Sequence, residues 1–214
     1  MIPQLFKKEK DNNLTKQDYF MELQRVLKKR HSIRSFQKRN VPKTVLIDLV
    51  KDAIQAPSSQ NDQPWEFTVL RSKKIRDKIA SMMAKDLIAY KKDFDSLEPK
   101  VRKEGLEFYK NLGDCPNIIF VFTEKLKSRY RMESNIMGIS AAVENLMLSS
   151  VNKGLGTCWI GGMRGFQHQK EIKKLIGVGS NKSLIASILI GYPKKDYKPL
   201  VRSKKKLNDV LRFV

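Results

Sequence analysis

The spacing of apolar residues divides the chain into interspersed helical and extended segments. Tyr19, Phe20, Leu23, Val26 and Leu27 recur at helical intervals and predict an amphipathic helix ending near Lys29. Leu46, Leu49, Val50, Ala53 and Ile54 predict a second helix that opens after Pro42. Pro57 stops it, because its ring disfavours the helical conformation at Ala56. Three runs read as strands: Phe67 to Leu70, Asn117 to Thr123 and Leu184 to Ile190, the last two as central strands. Leu155 to Ile160 reads as a fourth, bounded by Gly154 and by Gly161-Gly162. Elements mixed in this order predict an α+β fold, a mixed sheet flanked by helices.

Two segments stand apart from this pattern. Ile136 to Leu148 is apolar on nearly every face, which a surface helix of a single domain does not tolerate, so burial is expected, with a place between subunits as one way to achieve it. Residues 71 to 112 are rich in Lys, Asp and Met, with helical spacing at Leu106, Tyr109 and Lys110, and suggest no chemistry. The stretch from about 85 to 115 is expected to form a lid.

Composition narrows the class without naming a function. The 214 residues, at 24.8 kDa, suit one domain spanning 1–214, with 1–18 as an N-terminal extension and no repeat or linker to start a second. No run approaches the roughly 18 apolar residues of a membrane span. Met1 to Asp11 carries Lys7, Lys8, Glu9 and Lys10 where an export signal needs an apolar stretch, so a cytoplasmic location is expected. Cys115 and Cys158 are too few for a disulfide framework. Together with His31 and His168 they also lack the paired spacing of a zinc site, so no metal is expected. Lys and Arg total 43 against 22 acids, a net charge of +21. The 31 lysines are scattered along the chain, and no basic-aromatic stripe accompanies them, so a solvated surface is expected in place of a nucleic-acid or membrane partner.

Three constellations could carry chemistry. In Arg30-His31-Ser32-Ile33-Arg34-Ser35-Phe36, an extended backbone would project Arg30, Ser32 and Arg34 to one side, two guanidinium forks and a hydroxyl suited to a phosphate. Solvation, or pairing with carboxylates, meets the same pattern. Ala56-Pro57-Ser58-Ser59-Gln60-Asn61-Asp62-Gln63-Pro64-Trp65 is a Pro-stiffened loop dense in amide and hydroxyl groups, able to bond a planar heterocycle or a polyol; a plain turn is its alternative. Gly154-Leu155-Gly156-Thr157-Cys158-Trp159-Ile160-Gly161-Gly162 either lets backbone N–H groups approach a flat ligand or makes two tight turns around a core strand. It is no dinucleotide fingerprint, since Trp159 occupies the third glycine's place.

Taken in order with Ala141-Ala142-Val143-Glu144-Asn145-Leu146-Met147-Leu148, these motifs resemble the nitroreductase family of flavin enzymes, from about residue 20 to the C-terminus. The resemblance implies an intertwined homodimer with one FMN at each of two interfacial sites, and an enzyme passing hydride from NAD(P)H through flavin N5 to nitroaromatics, quinones or similar acceptors by a ping-pong mechanism. It implies that Arg30, Ser32 and Arg34 hold the phosphate, ribityl chain and pyrimidine edge, with His31 beside them, and that Lys204 closes on the phosphate. The register of that last match is uncertain by one within Lys204-Lys205-Lys206. By the same resemblance Pro57, Ser58, Ser59 and Asn61 serve the flavin of the other chain, while Trp159, Ile160, Gly161 and Gly162 lie against the isoalloxazine. No catalytic side chain is implied, because the flavin carries the chemistry. Same-fold alternatives are flavin fragmentation, reductive dehalogenation and heterocycle dehydrogenation; a basic nucleic-acid-binding protein is the non-enzymatic one.

Overall fold

A computed structural model describes residues 16–89, 99–161, 163, 169–199 and 203–214. The elements in order are α1 (Lys16–Lys29), α2 (Lys43–Ala53), β1 (Glu66–Leu70), α3 (Lys73–Ala89), α4 (Pro99–Asn111), β2 (Asn117–Glu124), α5 (Arg129–Asn152), β3 (Gly156–Trp159), α6 (Gln169–Leu175) and β4 (Lys182–Gly191). The four strands, α1, α2 and α5 lie where the sequence predicts them; α3 and α4 form in the region where the sequence shows only scattered helical spacing, and α6 is not predicted. The extension Met1 to Thr15, the middle of the expected lid at 90–98, Gly162 and His168 lie outside the described residues. The rest of the expected lid region includes α4, which packs on α3 and places Phe108 in the core. Helix α2 ends at Ala53, three residues before the boundary that Pro57 predicts; a turn with Ala56 N–H donating to Ala53 O carries the chain on.

The four strands form one antiparallel sheet in the order β1-β2-β4-β3, with the expected central pair at its centre. Its parallel feature is a bridge between Ser32 and Thr157 outside β3's free edge. Alternation along β2 divides the core in two. Ile118, Phe120 and Phe122 face the layer of α3 and α4, whereas Ile119 and Val121 face α2 and α5. Strand β4 keeps both faces apolar through a bulge at Ile185. Phe122 pairs with Leu184 and Val121 with Ala186, so Ile185 and Ala186 both reach the α2–α5 side while Leu184 and Leu189 serve the other.

Helix α5 only partly meets its prediction. Ile139, Ala142, Val143 and Leu146 are fully buried, but Met137 is 66% exposed. Ser140, Ala141, Glu144 and Leu148 are half-buried along the same outward row, at the three- and four-residue spacing of one helix face. Of the apolar face expected on α1, Val26 is buried while Leu23 and Leu27 are about half exposed; the side chains of Tyr19 and Phe20 lie outside the described residues. One chain covers one side of each helix and leaves an apolar strip on the other.

Candidate functional site

The first constellation is built by backbone pairing. After α1 closes with Arg30 N–H donating to Val26 O at 2.9 Å, the chain runs extended beside β3. Ile33 N–H donates to Thr157 O (2.8 Å), and Phe36, fully buried, donates its N–H to Gly113 O (2.9 Å). This approach needs a glycine at 156, where a Cβ would stand 2.6 Å from Ile33 Cγ1. The backbone is therefore fixed at Ile33 and Phe36.

Around that fixed backbone the three predicted side chains reach different neighbours. Arg30 Nε lies 3.2 Å from Glu144 Oε1 on α5. The Ser32 hydroxyl acts on the Cys158 thiol and lowers its pKa. Arg34 is exposed, and its charge acts on Cys158 and on Tyr109 of α4. Burial raises the pKa of both those groups, and the nearby guanidinium pulls each back only in part. His31 is half-buried between the arginines.

The second constellation, Pro57 to Asn61, rests on α5 at a close crossing. A Cβ on Gly138 would lie 3.3 Å from Ser58 Cβ. A short 3-10 turn over Ser59–Asn61 follows, and Ser58 Oγ accepts the N–H of Gln63 at 3.0 Å. Gln60, Asn61 and Gln63 all adopt positive φ (52°, 57° and 45°) without being glycine. Backbone strain of this kind concentrates where a loop presents groups to a ligand. Ser59 and Asn61 are exposed, and Ser58 is half-buried.

The third constellation is joined to the first by the Ser32–Thr157 bridge. Trp159 packs partly buried on the α2–α5 side, and Ile160 is buried on the other. Ile160 N–H is already committed to Ser187 O at 2.8 Å, so among the described residues of the predicted Ile160-Gly161-Gly162 segment Gly161 is the one left to serve a ligand. Gly161 is exposed, and a Cβ there would meet nothing within 4 Å, so open space lies beside its backbone. Lys204 is exposed in the C-terminal segment, as are Lys205 and Lys206.

Two positioning residues escaped the sequence reading. Gly113, at φ +65°, sits so close beneath Arg34 that a Cβ would overlap the Arg34 carbonyl. The Leu112-Gly113-Asp114 run signals a turn, but nothing local says which strand it supports. Glu144 lies within a quoted motif, yet its partner comes from a distant helix end. Among the described residues, no hydrogen bond or ion pair joins the Pro57–Asn61 loop to Arg30, Ser32 or Arg34 of the same chain. A cleft of about 350 Å³ is lined by Asp62, Gln63, Pro64 and Trp65 from the end of the second constellation, with Arg131 and Lys182, and holds none of the residues expected to meet the flavin. Its charges pair within it, Lys182 with Glu124 and Glu66 at 2.5 and 2.7 Å.

Comparison with known proteins identifies the family. The family model described as the nitroreductase family matches residues 27–192. YfhC of Bacillus subtilis (strain 168), provisionally named an NAD(P)H nitroreductase, is 27% identical over 188 residues, 87% of this chain and 91% of that protein. An iodotyrosine deiodinase of Thermotoga neapolitana is 30% identical over 174 residues, 80% of this chain and 88% of that one. A crystal structure of oxidised iodotyrosine deiodinase bound to FMN and 3-iodo-L-tyrosine superposes with a TM-score of 0.70 at 25% identity, covering 90% of this chain and 98% of that one.

Proposed function

The chain belongs to the nitroreductase family, and from that premise we propose that it is an FMN-dependent oxidoreductase taking reducing equivalents from NAD(P)H and delivering them to nitroaromatics, quinones or similar acceptors. The observation that carries this reading is the Arg30–Arg34 segment pinned along β3 by the Ile33–Thr157 bond and the Ser32–Thr157 bridge. These residues fit FMN. Arg30 and the exposed Arg34 supply fixed positive charge for a phosphate and an electron-rich ring edge, and Ser32 supplies a hydroxyl between them. The space beside Gly161 admits a flat ring against the main chain.

When bound, FMN supplies hydride acceptance and donation at its N5 atom. The chain's part is to bind and orient. Arg30 neutralises the phosphate, Ser32 bonds the ribityl chain, and Arg34 sets a positive field at the pyrimidine edge, which favours negative charge developing there. Among the described residues, Gly161 N–H is a backbone donor left for the ring. The strained Pro57–Asn61 loop serves the flavin of a second copy, which accounts for its lack of contacts to Arg30, Ser32 and Arg34 within one chain. We assign the dimer contact to the exposed apolar side chains of Leu23 and Leu27 on α1 and Met137 on α5.

The visible spectrum of the purified protein tests the reading first. Heat-released FMN near one per chain is expected, followed by anaerobic turnover of a nitroaromatic or quinone with NAD(P)H. Removing one charge-assisted donor costs about 1.5–3 kcal/mol, so Arg30→Ala is expected to weaken FMN binding roughly ten- to a hundredfold. A colourless protein that takes up no added FMN overturns the proposal. The likeness to iodotyrosine deiodinases supports a second reading, reductive dehalogenation of an aromatic ring. Halide release from a halophenol by the reduced protein, without turnover of nitro compounds, selects it.

A further inference from the structure

Arg30 and Glu144 come from segments of unequal stiffness. Arg30 is the first residue beyond α1, with a long side chain that is 28% exposed. Glu144 lies inside the 24-residue α5, near the fully buried Val143 and Leu146, which tie its stretch of helix to the core. The contact is made to Nε, on one edge of the guanidinium. A carboxylate on that edge leaves the terminal amino groups for the paired hydrogen bonds that a phosphate accepts. As a surface ion pair the contact contributes little to folding, because the Glu144 side chain is itself 43% exposed.

We propose that Glu144 is a positioning residue for anion binding, holding the Arg30 guanidinium in the one orientation that meets the phosphate of the flavin. The inference rests on the reading of Arg30 given above. Two effects of Glu144 oppose each other. Its negative charge weakens the attraction of Arg30 for a phosphate, while its oxygen removes the freedom that a long side chain otherwise loses on binding. The proposal is that orientation outweighs charge. Glu144→Gln keeps an oxygen of the same reach and removes the charge. Glu144→Asp keeps the charge and falls short of Nε. Glu144→Ala removes both.

Apo-protein of the full chain, titrated with FMN and separately with riboflavin and followed by quenching of flavin fluorescence, isolates the phosphate contribution as the ratio of the two affinities. Arg rotamer freedom of the size usually found implies a roughly three- to tenfold loss of FMN affinity in Glu144→Ala and Glu144→Asp. Riboflavin affinity is expected to stay unchanged, which also reports that the variants are folded, and Glu144→Gln is expected to bind FMN at least as tightly as the parent protein. If Ala and Gln variants both bind FMN as well as or better than the parent while Arg30→Ala binds it worse, Glu144 is only a counter-charge and the proposal fails. If Arg30→Ala leaves the FMN-to-riboflavin ratio unchanged, the phosphate assignment fails first, and this inference with it.

Discussion

At the scale of single residues, burial decides the chemistry of both thiols. Cys115 is fully buried, and burial pushes its pKa up to about 12 against the bonds that its sulfur makes with the backbone of Asn117 and Ile190. Cys158, 3% exposed, is raised by the same cause, offset in part by Arg34 and the Ser32 hydroxyl. A thiol must ionise to attack. Neither cysteine is therefore expected to react with a chromogenic disulfide reagent at pH 8 in the native protein, whereas two thiols per chain react in denaturant. Rapid release of one equivalent from the folded protein would contradict the burial of Cys158. The apolar character of Cys158 was readable from its hydrophobic neighbours, because a central run of such residues has few ways to avoid the core. Its neighbourhood with Ser32 was not, since that depends on which segment lies beside β3.

Between elements, glycines separate the cost of a backbone conformation from the cost of a close approach. Gly113 and Gly154 have nearly the same positive φ, 65° and 67°, but a Cβ at 113 overlaps the carbonyl of Arg34, while one at 154 meets nothing within 4 Å. Gly154→Ala is expected to lose about 1 kcal/mol, the cost of a left-handed alanine. Gly113→Ala is expected to lose about 2–4 kcal/mol, because Arg34 must also move. Urea-unfolding midpoints compare the two, and equal losses would show that the turn at Gly113 does not support the Arg34 segment. The elements themselves were legible because continuous apolar runs and helical spacing are local. The early end of α2, closed by the turn at Ala53–Ala56, and the bulge at Ile185 were not, since the bulge depends on pairing with β2 far off in the chain.

For the molecule as a whole, a net charge of +21 opposes association, and the exposed apolar side chains of Leu23 and Leu27 on α1 and Met137 on α5 favour it. Light scattering during gel filtration is expected to give about twice the chain mass of 24.8 kDa. Met137→Asp is expected to raise the dimer dissociation constant at least tenfold, as an ion buried without a partner does. Because Met137 is 66% exposed in one chain, the variant should leave the monomer folded. An unchanged dimer at every dilution would place the interface elsewhere. Among the described residues no helix is long and apolar enough to cross a membrane.

Local order along the chain was enough to identify the four strands, helices α1, α2 and α5 and the ordered motifs that mark the family, since periodicity, turn chemistry and motif spacing are properties of neighbours in sequence. Which donors remain for a ligand was settled only by folding. Ile160 N–H is spent on Ser187, Arg30 is met by Glu144, and Arg34 is supported from below by Gly113. Each of these depends on the packing of segments far apart in the chain. A hydrogen-bonding group's availability is set by what the three-dimensional packing leaves unpaired, and no one-dimensional pattern records that.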